Sequence, residues 1–209
     1  MKLPENEKKI ILHLCADIGS DTKPYKDEGY DVRLVGSDIG VENFAAPTNV
    51  YGVIANPPCT EFSIARSGGK PRLGADGLFL VKECQRIISE CSPVFWVIEN
   101  PATGRLRNFL GEPVMTYEPW HFGSAWTKRT ALWGKFNKPD RVYQKWEDVP
   151  KIKELPTYQG RGKPSLAKLH NTSHKKYIRE FDCFSPDSDM EFRSLCSQKF
   201  AQAFYEANR

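Results

Sequence analysis

Nothing in the 209 residues approaches the ~20 consecutive apolar positions that a bilayer-crossing helix needs, so no membrane partner is expected. No Cys-x-x-Cys pair occurs, which removes zinc-ribbon and dithiol redox readings. The six cysteines (15, 59, 84, 91, 183 and 196) are therefore expected as free thiols in a reducing compartment. Internal repeats and low-complexity tracts are also missing, which excludes solenoids and collagen-like chains. The first nine residues are charged and run straight into an apolar strand, unlike a signal peptide, so a cytoplasmic setting is expected. His170 and His174 have metal-ligand spacing, but no neighbouring carboxylate or cysteine in the sequence completes a set, and no metal is expected.

What remains is a chain of one core-building size, 40% apolar, with a formal charge of +4. The charge is unevenly placed: residues 137 to 180 hold eleven Lys/Arg against five Asp/Glu. Such a segment is either a solvated loop or a surface facing a polyanion.

Apolar runs at Ile10 to Cys15, Asp31 to Val35, Tyr51 to Ala55 and Val94 to Ile98 predict four strands, with two more at Val114 to Tyr117 and Arg129 to Trp133. Helical stretches are predicted at Lys23 to Glu28, over Leu78 to Cys91 from apolar positions 78, 81, 84, 88 and 91, and at Ser197 to Asn208. Strands alternating with helices imply an α/β fold with a doubly wound, mostly parallel sheet in a single domain. The expected division is a core at 1–136, a short basic irregular segment at 137–189 and a closing helical segment at 190–209.

The chemistry is expected at strand ends. Val53-Ile54-Ala55 stops at Asn56-Pro57-Pro58-Cys59, and two prolines end a sheet ladder and stiffen the loop. Cys59 is thus presented at the carboxyl edge of the sheet, where open α/β folds bind ligands. Glu99-Asn100-Pro101 follows another wholly apolar strand, whose burial should raise the Glu99 pKa and make it a proton donor near neutrality; a strand-end cap is the alternative. Gly19 and Ser20 lie where the first strand passes into a helix, a place for backbone to approach a ligand.

These segments resemble the DNA (cytosine-5) methyltransferases. Leu12 to Val32 aligns without gaps with the family's cofactor motif, with Gly19 and Gly29 on family glycines and Thr22 on a common serine. Pro57-Pro58-Cys59 with Phe62-Ser63 resembles the catalytic loop, and Glu99-Asn100-Pro101 the Glu-Asn motif. Thr127-Lys128-Arg129-Thr130-Ala131-Leu132-Trp133 resembles the downstream basic motif, and Phe200-Ala201-Gln202-Ala203-Phe204 the closing segment. The shortened form is similar to phage-encoded members.

The resemblance implies a Rossmann-like methyltransferase fold, S-adenosylmethionine as cofactor and double-stranded DNA as partner, acted on by a monomer in a bacterial cytoplasm. It implies a covalent bond from Cys59 to C6 of a flipped-out cytosine, with Glu99 at N3 and Arg129 orienting Glu99 or the base. Cofactor contacts are expected at Cys15, Asp17, Ile18, Gly19, Ser20 and Pro57, with adenosine near Asp38 and Ile39. Substrate contacts are expected at Pro58, Ser63, Arg66, Asn100, Lys128 and Thr130. Two small positions of the family's glycine-rich turn are Ala16 and Asp17 here, and no acidic residue ends the second strand unless Asp38 serves. A tRNA cytosine-5 methyltransferase, an amino-group methyltransferase using Asn56-Pro57-Pro58 without a thiol, and a nucleic-acid-binding protein with a decayed donor site stay open. The segment after Phe136 is short for target recognition, so low sequence selectivity and phosphate contacts from Lys138, Arg141, Lys145, Arg161, Lys163, Lys168, Lys175 and Lys176 are expected.

Overall fold

A computed structural model describes residues 5–59, 62, 75–157 and 162–209. In chain order its regular elements are β1 (Ile10–Leu14), α1 (Lys23–Asp27), β2 (Asp31–Val35), β3 (Val50–Ala55), α2 (Ala75–Cys91), β4 (Phe95–Pro101), α3 (Arg107–Leu110), β5 (Met115–Tyr117), β6 (Thr130–Lys135), α4 (Asn171–His174), α5 (Asp189–Ser194) and α6 (Gln198–Asn208). The six strands form one sheet in the order β2-β1-β3-β4-β6-β5. β2, β1, β3 and β4 pair in parallel, while β6 runs antiparallel to both β4 and β5. This is the mixed, mostly parallel α/β sheet that the strand–helix alternation predicts.

Side-chain alternation sorts the core into two layers. Leu12, Leu14, Val53, Ala55 and Ile98 face α2, which presents Val81, Cys84, Ile87 and Ile88. Ile11, Ile54, Phe95 and Val97 face the other way, onto Tyr25 of α1 and Phe200, Ala201, Phe204 and Tyr205 of α6. The central strands are buried on both faces, which is why they read as near-continuous apolar runs. Cys84 and Cys91 fall on the α2 stripe as core-side residues, as their spacing predicts.

Several segments differ from the sequence expectation. β4 does not stop at Ile98: Glu99, Asn100 and Pro101 remain in the ladder opposite Leu132, Ala131 and Thr130 of β6. An antiparallel neighbour supplies partners to residues that a parallel sheet would have left beyond its edge. The basic stretch also folds around a third apolar cluster, in which Trp126 meets Leu166, Leu169, Ile178, Phe181, Phe192 and Leu195. The residues after 188 form two helices instead of one, α5 and α6, separated by a short bend. Trp120, Trp126 and Trp133 are all buried, in line with core packing.

Gly52 stands opposite Phe95 in the β3–β4 register, and an added methyl group would fall inside the Phe95 ring. That ring is wedged among Tyr25, Tyr51 and Phe204 and has nowhere to go. Gly52→Ala is expected to destabilise the protein by about 2 kcal/mol in urea unfolding, the usual cost of overpacking. The loss should be less than additive with Phe95→Leu, because the smaller side chain opens the space.

Candidate active site

The Asn56-Pro57-Pro58-Cys59 loop is held from two sides. The Asn56 N–H extends the ladder by one step, donating to the Leu14 carbonyl at 3.0 Å. Its side chain turns inward: Oδ1 meets His13 Nε2 at 3.0 Å, and Nδ2 donates to Asp21 Oδ2 at 3.3 Å. From the neighbouring strand, Asn100 Nδ2 donates to the Pro57 carbonyl at 2.9 Å. His13 is fully buried in the middle of β1, with Asn56 at its Nε2 and the Thr22 hydroxyl 3.4 Å from its Nδ1. A loop so fixed puts Cys59 in one place.

Because β3 and β4 are parallel, Cys59 and Glu99 reach the same edge, and both line one cavity of about 650 Å3. Burial is the main influence on the Glu99 carboxyl and pushes it up to about 7. The Lys128 ammonium pulls it back down, while the Asp21 carboxylate pushes it further up. Cys59 is likewise raised, first by burial and then by the charge of Glu99, with Lys128 opposing. Cys59 therefore senses the charge of Glu99, and a single cation moderates both.

The remaining wall comes from the basic segment and α5. Thr127 donates to the Pro164 carbonyl at 2.8 Å and accepts from Leu166 at 3.0 Å, which brings Ser165 and Ala167 to the cavity. Lys128 Nζ donates to the carbonyls of Ser194 and Leu195, at 2.6 and 3.1 Å, and so clamps the end of α5. Met190, Arg193 and Ser194 line the cavity from that helix.

Of the residues expected at the site, Cys15, Asp17, Pro57, Pro58, Cys59, Glu99, Lys128 and Arg129 come together on this cavity. Asn100 and Thr130 are buried behind it, Asn100 gripping the proline loop and Thr130 bonding the Lys128 carbonyl at 2.8 Å. Ile18 leans on the third apolar cluster. Ser20 is fully buried, its hydroxyl donating to Asp17 at 2.6 Å and accepting from the Cys196 N–H at 3.0 Å. Gly19 takes a φ of +86°, the conformation that favours glycine in this turn. Its N–H and that of Ser20 donate to Asp17 Oδ1 at 2.8 and 3.0 Å, so the turn's amides are engaged by the protein's own carboxylate. Asp38 and Ile39 are exposed on the turn after β2 and do not line the cavity. Ser63, Arg66 and Arg161 lie outside the described residues. The cation that acts on Glu99 is Lys128, whereas the Arg129 charge acts on Glu118.

Sequence reasoning did not single out Asn56, His13 and Asp21 as supports, nor Glu118, Met190 and Arg193 as lining residues. A polar residue inside an otherwise apolar strand was the available signal for His13. Nothing in the local pattern marks Arg193, whose place depends on long-range packing. Ligand atoms of His13, Asp17 and Asp21 lie within 4.8 Å of one another, but each of these side chains is already hydrogen-bonded to protein groups. The His170–His174 pair is tied to Asp189, with His170 Nδ1 at 2.6 Å from its carboxylate.

Glu99→Gln removes a negative charge beside Cys59 and should lower the pH midpoint at which iodoacetamide alkylates Cys59, read site by site in mass spectrometry. Lys128→Met should raise it. An unchanged midpoint in both variants would mean that the two groups do not feel each other.

No protein-family model matches the chain. In sequence it is 33% identical over 124 residues to a protein named "Probable DNA (cytosine-5)-methyltransferase" from Frog virus 3 (isolate Goorha), a match covering 51% of this chain and 55% of the viral protein. The chain thus spans about half the length of the relative it matches. Among solved structures it aligns with an E. coli protein described as a prophage-encoded DNA modification methyltransferase, at 15% identity and a TM-score of 0.44, over 72% of this chain and 56% of that one.

Proposed function

We propose that the chain is an S-adenosylmethionine-dependent DNA (cytosine-5) methyltransferase working through a covalent Cys59 adduct. The observation that carries this reading is Cys59 and Glu99 on one cavity, with the Glu99 carboxyl raised to about 7. The viral relative named as a cytosine-5 methyltransferase supports the choice of base and polymer.

C5 of cytosine is a poor nucleophile, and covalent catalysis is the remedy. The Cys59 sulfur adds to C6 as Glu99 gives its proton to N3, so the ring becomes an enamine with electron density on C5. Bound S-adenosylmethionine supplies the methyl group that C5 accepts. A solvent water then takes the C5 proton, which re-forms the double bond as the Cys59 thiolate leaves, and Glu99 recovers its proton from N3. A duplex cytosine cannot enter a site at this depth, so the base is flipped at a cost of a few kcal/mol.

The cavity suits such a donor in one respect that the turn makes specific. The Gly19 and Ser20 amides already bond Asp17, which leaves the Asp17 carboxylate, not free amides, facing the cavity. Asp17 would therefore hold the donor's ammonium, beside Cys15 and Pro57. Residues 137–189 would serve as a reduced target-recognition region, with binding that weakens steeply as salt rises.

Incubation with 5-fluorocytosine-containing duplex DNA and S-adenosylmethionine should trap a covalent complex that Cys59→Ala abolishes. Trapping by RNA alone would move the substrate to RNA, and full activity in Cys59→Ala would overturn the covalent mechanism. The productive form needs one proton shared between a Glu99 acid and a Cys59 thiolate. The rate should then fall below about pH 7, as both groups become protonated, and again above the raised thiol pKa, as both lose protons. Glu99→Gln should remove the alkaline limb, leaving a single rise as Cys59 ionises, and reduce turnover by roughly 10²–10⁴-fold.

A further inference from the structure

α5 is a short helix with unusually firm moorings. Its start is capped by Ser188, whose hydroxyl accepts from the Glu191 N–H at 3.1 Å, and its end is clamped by Lys128. Asp189 is bound by His170 Nδ1 and by the Asn171 N–H at 2.7 Å. Phe192 anchors the inner face in the third apolar cluster with no exposed surface. Met190 and Arg193, three residues apart and so on one helix face, are left to line the catalytic cavity.

Two other cations line that cavity. Lys128 holds the carbonyls of α5, and Arg129, whose guanidinium also makes no hydrogen bond among the described residues, acts on Glu118 from the sheet side and not from a helix at the mouth. The Arg193 guanidinium makes no hydrogen bond among the described residues; Asp189, whose charge it senses, already has His170 and Asn171 as partners. It is therefore a guanidinium with its donors open. Met190, at 72% exposed, shows that this face of α5 lies at the solvent mouth and not at the floor where Glu99 sits. A base drawn into the cavity leaves its flanking phosphates at such a mouth, and a guanidinium fork on a fixed helix is the side chain best matched to a phosphate.

Building on the methyltransferase reading, we propose that Arg193 anchors a backbone phosphate of the flipped nucleotide, with Met190 as the apolar rest for the neighbouring base. Arg193 acts as a substrate-positioning residue from outside the motifs that carry the chemistry. The same guanidinium could instead take the carboxylate of the donor, and the two anions are separable by measurement.

The test compares wild type with Arg193→Ala, Arg193→Lys and Met190→Ala, each checked by thermal melting. For Arg193→Ala the KM for duplex DNA should rise roughly tenfold, and the slope of log affinity against log salt should become shallower by about one. Its kcat should stay within about threefold, and its calorimetric affinity for S-adenosylmethionine should be unchanged. Arg193→Lys should keep the salt slope but bind DNA less tightly than wild type, because it retains the charge without the fork. Met190→Ala should raise KM with no change of slope. Unchanged DNA affinity and slope in Arg193→Ala, or a loss of donor affinity in its place, would overturn the proposal. The failure of the underlying reading looks different: wild type itself would trap no fluorocytosine-containing nucleic acid, and Arg193 would fall with it.

Discussion

One amide joins the two halves of the candidate site. Asn100, buried near the end of β4, donates a hydrogen bond to the carbonyl of Pro57, the first residue of the loop after β3 to have no N–H of its own. Prolines at a strand end stop the ladder, so backbone pairing alone would leave the two strand ends uncoupled beyond Ala55. The side chain of Asn100 replaces the missing backbone bond, and the distance between Cys59 and Glu99 is set through it. Asn56 does the same on the β1 side through His13 and Asp21. The proline loop is thus stiff by composition and located by two amides.

The reversal of direction at β6 explains the acid. A sheet parallel throughout would place Glu99 beyond its last rung, in water. With β6 antiparallel, Glu99 is still a rung of the ladder, opposite Leu132, although its pairing with β3 has ended at Ile98. Desolvation is then the largest influence on its proton affinity, and Lys128 decides how far that influence runs. The same Lys128 is the link from the sheet to α5, so acid strength and the far wall share one ammonium group.

Much of this was legible in the chain. Strands with two buried faces are continuous apolar runs, and prolines and glycines mark their ends, so β1, β3, β4 and the cysteine loop could be placed from pattern alone. Glu99 as a raised acid was also legible, and burial, the reason expected, is the main reason found, although the strand runs on past the point where it was expected to stop. Illegible were the features that depend on distant partners. Asp17 looked like an intruding charge and turns out to cap its own turn. The segment after Phe136 looked irregular because its apolar residues are spaced by turns and not by one period, yet Trp126, Phe181 and Phe192 gather into a core of their own.

The turn from Asp17 to Ser20 also has a place in time. Ser20 receives the Cys196 N–H on its hydroxyl, and its carbonyl accepts from Gln198 Nε2 at 2.8 Å, partners 176 and 178 positions away in the chain. As a nascent polypeptide leaves the ribosome, the first strand and its turn emerge early, but their last hydrogen bonds wait for the segment that leads into α6. Contacts of such wide separation are slow to close. Synthesis must therefore pass Gln198 before the rim is finished, and a copy interrupted before it would carry the cysteine loop without the turn fully fastened beside it.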